Sequence, residues 1–93
     1  MKPASSLVLK LQHGDKIKRF SKSPEDLETL RNLAKTTFHE LQESDVTLRY
    51  IDEDREEVYL SEEDDLQNAY EVAHEYLSGT LKVIVTEKKN GEE

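Results

Sequence analysis

Apolar residues along this chain recur at two different periods, and the order in which those periods alternate leaves few ways to fold it. Leu7, Leu9 and Leu11 are interleaved with Val8, Lys10 and Gln12, the two-residue repeat of a strand with one buried face. His13-Gly14-Asp15 reads as a hairpin turn, and Lys16-Ile17-Lys18-Arg19-Phe20 as a returning strand. Ile17 and Phe20 have opposite parity, so this strand is expected to carry a bulge or to end early. The period then lengthens. Leu27, Leu30, Ala34, Phe38 and Leu41 recur at three- and four-residue spacing, one apolar stripe of a helix that Gln42 to Asp45 closes. Ser23 is placed to cap it, Pro24 suits its first position, and Asp26 completes a pattern like a capping box.

The alternation then repeats. Val46, Leu48 and Tyr50 point inward from a third strand, and Asp52 to Glu56 forms a turn. Val58 and Leu60 point inward from a short fourth strand. Ser61 is expected to cap a second helix with Asp64 in the reciprocal position, and its stripe is Leu66, Ala69, Tyr70, Ala73 and Tyr76 or Leu77. Gly79 is placed to end it, and Leu81 to Val85 make a final strand. The order ββαββαβ requires both helices to cover one face of a small mixed sheet, since neither can otherwise bury its stripe. That is an α+β chain with the pattern of a ubiquitin-like β-grasp. One domain is expected over residues 6–87, with a flexible N-terminus at 1–5 and a flexible tail at 88–93.

Composition narrows the function. The chain has 93 residues and a formal net charge of −8, which disfavours nucleic acid and anionic membrane as partners. No apolar run approaches the roughly 18–20 residues of a membrane span. The absence of cysteine excludes disulfides and thiolate metal sites and fits a reducing, cytoplasmic setting. No cofactor motif is present: there is no glycine-rich phosphate loop and no Ser-His-Asp arrangement, and an enzyme is not expected. His13, His39 and His74 fall on three different elements without ligand spacing, and His13 reads as a turn residue.

Charge is segregated along the chain. Residues 1–20 hold five Lys or Arg against Asp15, whereas residues 52–65 hold nine Asp or Glu against Arg55. The stretch from Tyr50 to Leu66 runs from an aromatic through an acidic turn and a short apolar strand to acids entering a helix. It resembles the acidic OPCA motif of Phox/Bem (PB-one) domains. In that resemblance Asp52, Asp54 and Glu56 match the first cluster, with Glu53 beside them, and Glu63, Asp64 and Asp65 match the second. Arg55, where the family often has glycine, and Glu57, where many members are apolar, depart from it. At the front, Lys10 matches the family's first-strand lysine and Lys18-Arg19 its basic pair, with Lys16 adding to the patch.

Carrying both faces makes the chain similar to the dual, type I/II class, and its short first hairpin and spacing are similar to those of TFG-like trafficking scaffolds. The resemblance implies a scaffold or adaptor that pairs front to back with Phox/Bem domains of its own or another protein, as a dimer or head-to-tail polymer.

Other readings exist for the same residues. Acids at the start of a helix are favoured by its dipole, which would account for Glu62, Glu63 and Asp64 but not for Asp52, Glu53, Asp54 and Glu56. Lys10 alone reads as a solubility or edge-protecting residue. Asp52, Asp54, Glu56 and Glu63 fall at positions 1, 3, 5 and 12 of an EF-hand calcium loop, although Glu57 replaces the glycine such a loop needs. A passive, monomeric ubiquitin-like domain is the remaining alternative.

Overall fold

The alternating segments pair into one five-stranded mixed sheet, and the helical stripes close one of its faces. The computed structural model describes residues 7–88. Its strands are β1 (Val8–His13), β2 (Lys16–Phe20), β3 (Val46–Ile51), β4 (Glu57–Tyr59) and β5 (Thr80–Glu87). Helix α1 (Leu27–Thr37) follows β2 and leads into a 3₁₀ turn at His39–Leu41, and α2 (Glu63–Tyr76) joins β4 to β5. The order is the expected ββαββαβ. Of the ends expected to be flexible, residues 1–5 and 89–93 lie outside the described residues, while Lys88, the first of the expected tail, donates its amide to the Asp45 carbonyl at 2.8 Å.

The strands are arranged β2-β1-β5-β3-β4, with β1 and β5 parallel and the other pairs antiparallel. The chain's two ends therefore meet in the middle of the sheet, and its two hairpins form opposite edges. Leu9, Leu11, Leu48, Tyr50, Leu81, Val83 and Val85 face Leu27, Leu30 and Ala34 of α1 and Leu66, Ala69 and Ala73 of α2 in one core. Each large side chain buried this way stabilises the fold by about 1.5–3 kcal/mol. The other sheet face carries the alternate residues and has no helix on it among the described residues.

Local details differ from the sequence-based expectation in instructive ways. The first helix starts three residues later than Ser23 would give. Asp26 is its N-cap, with Oδ1 accepting from the Thr29 amide at 2.8 Å, and the Thr29 side chain first and this amide second hold the Asp26 carboxyl below its usual range. Pro24 stays outside the helix because its carbonyl accepts the Tyr70 hydroxyl from α2. The second helix is capped by Glu62 rather than Ser61, and Asp65 rather than Asp64 reciprocates: its Oδ2 accepts from the amides of Ser61 and Glu62, each at 2.9 Å. The α1 stripe continues past the helix into Phe38 and the 3₁₀ turn, where Leu41 is buried.

In the first hairpin the register from Leu9↔Phe20 to His13↔Lys16 is unbroken, without the expected bulge. Phe20 packs on the core, and Ile17 lies on the open face, 57% exposed. His13 closes β1 instead of sitting in the turn. Its Nδ1–H donates to the Val85 carbonyl at 2.9 Å, and its ring lies 5.6 Å from that of Phe38. The two-residue loop is Gly14-Asp15, with Gly14 at φ +63°, where glycine is favoured. At the end of α2, Leu77 packs on the core while Tyr76 is 61% exposed, and Ser78 and Gly79 both take positive φ.

Tyr70 yields a pH prediction. Burial first, and the Asp26 charge second, push its pKa from 10.0 up to about 12. A phenol that ionises later in the folded than in the unfolded chain stabilises the fold fully below its unfolded pKa, and that contribution disappears as pH rises through the folded value. Stability should therefore fall between about pH 10 and 12. Tyr70→Phe should show a shallower fall of the urea midpoint over that window. An equally steep fall would mean that Tyr70 does not carry the effect.

Candidate interaction faces

The acidic face begins at the β3–β4 turn. Asp52, half-buried, organises it: its Oδ1 accepts from the amides of Asp54 and Glu56, each at 2.9 Å. Its own amide donates to the Glu56 carbonyl and its carbonyl accepts from Arg55. This closure turns three carboxylates the same way, with ligand oxygens of Asp52, Asp54 and Glu56 all within 4.8 Å of one another. Arg55 sits at φ 65°, which explains why a glycine suits this position better. A left-handed non-glycine residue costs about 1–2 kcal/mol, partly offset in a glycine by its greater freedom when unfolded. Arg55→Gly should thus raise stability by a few tenths to about 1 kcal/mol, read as a higher urea midpoint. A lowered midpoint would show that Arg55 makes a compensating interaction.

The acids at the start of α2 divide by role. Asp65 is the reciprocal cap described above. The Glu63 carboxylate reaches across to α1, accepting from the Leu27 amide at 2.9 Å and 3.2 Å. It therefore caps one helix from another, and it is not turned toward the Asp52 cluster as an EF-hand reading would require. Asp64 is exposed, as are Glu53, Asp54 and Glu56, and no cation pairs with any of them among the described residues. Glu57 differs, since Arg49 binds it at 2.8 Å while lying over the Tyr59 ring. The two acidic segments converge on Tyr50, whose pKa is raised by burial first and then by Asp52, Glu53 and Asp65.

The basic residues are placed by strand parity. Lys10 stands opposite Arg19 across the β1–β2 ladder, and both point from the open face. Lys18 stands opposite Leu11, so it points from the other side of the edge strand. Lys16 is engaged within the molecule: its Nζ donates to Glu40 at 3.1 Å. Glu40 is held below the usual carboxylate range, by its own backbone amide first and by Lys16 next. Lys10 does not protect an edge, because β1 lies between β2 and β5.

Sequence reading passed over Lys82. It pairs in register with Lys10 across β1–β5 and shares the open face. The signal was present in the alternation Leu81-Lys82-Val83, but relating it to Lys10 required knowing that β1 and β5 are neighbours.

The sheet order keeps the faces apart. From β1 to β4 is three inter-strand steps, ~14 Å, beyond the ~10 Å screening length at 0.1 M salt. Lys10 and Arg19 on one side and the β3–β4 turn on the other therefore cannot satisfy each other within one molecule.

Comparison with known proteins places this geometry. The chain is similar to the AtNBR1-PB1 domain, with a TM-score of 0.70 at 21% identity, over 88% of this chain and 97% of that one. It is equally similar to a chain in the cryo-EM structure of the AtNBR1-PB1 filament (L-type), with a TM-score of 0.70 at 26% identity and the same coverage. No match is found among curated proteins. The PB1 domain family model matches residues 6–88, all five strands and both helices, and the chain belongs to the PB1 domain family.

Proposed function

We propose that this domain joins PB1 domains head to tail, the basic face around Lys10 and Arg19 of one copy docking on the acidic β3–β4 turn of the next. PB1 domains are protein-interaction modules, and the 26%-identical AtNBR1-PB1 relative forms a filament. The observation that carries the reading is the pair of opposite charge clusters on opposite sides of one sheet, neither with an ion-pair partner among the described residues. Asp52, Asp54 and Glu56 form the OPCA-like first cluster, with Glu53 and Asp64 exposed beside it. Glu63 and Asp65 act chiefly by fixing the helix ends that hold this face in place. Lys18 and Lys16 project from the other side of β2, Lys16 bound to Glu40, and border this face without forming part of its row. Possession of both faces is the type I/II character, and kinship with TFG-like scaffolds rests on hairpin spacing alone.

Such a contact is heterologous and propagates unless its rotation closes a ring. Close charge pairs at interfaces couple by about 1.5–7 kcal/mol, exposed ones by roughly 0.2–1 kcal/mol. A few partly desolvated pairs suffice for the ~8 kcal/mol of micromolar affinity. The test is molar mass by light scattering across protein concentration at about 50 mM and 500 mM salt, since screening shortens steeply over that range. Growth with concentration that collapses in high salt is expected. A monomer under every condition would contradict self-assembly and favour a passive domain.

A further inference from the structure

We infer that Lys82 is a third member of the basic face, and that the row Arg19–Lys10–Lys82 receives the Asp52–Asp54–Glu56 turn of another copy of this chain. The inference rests on the head-to-tail reading and adds a residue and a docking geometry to it. Arg19, Lys10 and Lys82 occupy three adjacent strands, joined by the registers Lys10↔Arg19 and Lys10↔Lys82. Adjacent strands lie ~4.8 Å apart, so like charges stand side by side, an arrangement that opposes folding of the isolated domain. None of the three has an ion-pair partner among the described residues, whereas Lys16 and Arg49 each do. Glu57, the acid on the open face of β4, is already bound by Arg49.

A cation row with no ion-pair partner among the described residues fits an anionic occupant. The acidic turn fits it chemically: its three carboxylates lie within 4.8 Å of one another, in reach of long arms converging from neighbouring strands. Lys82, like Lys10, is half-buried on an interior strand, whereas Arg19 is exposed on the edge strand. The contacts of Lys82 are accordingly less screened than those of Arg19 at the edge.

The test uses two half-blocked proteins that bind once and cannot polymerise. The first is Asp54→Ala/Glu56→Ala, with only its basic face intact. The second is Lys10→Ala/Arg19→Ala, with only its acidic face intact. Their affinity is measured by calorimetry. Lys82→Gln in the first protein should weaken binding about five- to tenfold and flatten the salt dependence. The same substitution in the second protein, whose basic face is idle, should change nothing, and Lys82→Arg in the first should restore binding. Lys35→Gln on α1 controls for net charge, and thermal melting confirms that each variant is folded. A loss from Lys82→Gln no larger than that from Lys35→Gln would overturn the inference and leave the head-to-tail reading intact. No binding between the two parent proteins, both folded, would overturn both.

Discussion

A one-to-one mixture of Lys10→Ala/Arg19→Ala protein with Asp54→Ala/Glu56→Ala protein should form a heterodimer and nothing larger, while each alone stays monomeric. Each protein retains one working face, so only one contact can form and the chain of contacts ends there. The choice of acids matters. Asp52→Ala would also remove the acceptor for the Asp54 and Glu56 amides, so its effect would mix lost charge with a loosened turn. Asp54 and Glu56 are exposed, and their side chains bond to no other group among the described residues, so their removal isolates the charge. The expected loss of self-association is at least a hundredfold for either variant alone, from two close pairs of about 1.5 kcal/mol or more each. Light scattering reads it directly. Homodimers of either variant alone would point to a symmetric contact elsewhere.

Leu66→Ala should destabilise the domain by about 2–5 kcal/mol, with the cavity adding to the lost transfer energy. A domain of this length has only about 5–14 kcal/mol in total, so the variant would be marginal at 37 °C. Leu66 is fully buried and follows directly on Asp65, in the first turns of α2. Its packing on the sheet fixes where that helix begins, and hence where Glu63 meets the Leu27 amide and where Asp64 is presented. Self-association should fall together with stability in this variant, unlike in the charge variants, where the urea midpoint should hold. A midpoint shift below about 1 kcal/mol would show that α2 can settle without this anchor.

The elements were legible because each has one wet face and one dry face. Leu9, Leu11, Leu48, Val83 and Val85 announce their side of the sheet by parity, and Leu27, Leu30 and Ala34 theirs by helical spacing. The helix starts were less legible, since several polar residues could have capped each one. What chose Asp26 over Ser23 includes a tertiary bond from Tyr70 to the Pro24 carbonyl, across 46 residues of sequence. Likewise, Glu63 looks like one more acid in a run until its Leu27 contact is seen.

The charge segregation was legible, but which charges remain free was not. Lys16 and Glu57 are spoken for by Glu40 and Arg49, and Lys82 joins Lys10 only through a parallel pairing of the chain's distant ends. Arg55 illustrates the reverse case: its departure from glycine was visible in sequence, and its positive φ gives the reason it matters.

The most direct test of the account is to map both sides of one contact by amide chemical shifts in the half-blocked pair, labelling one protein at a time. With the label in the protein whose basic face is intact, shifts should cluster on β1, β2 and β5 around Lys10, Arg19 and Lys82. With the label in the other, they should cluster on residues 52–57 and the start of α2. Two different clusters are the mark of a head-to-tail contact. The same residues shifting under both labels would mean a two-fold symmetric interface, and would contradict the pairing of basic face with acidic face.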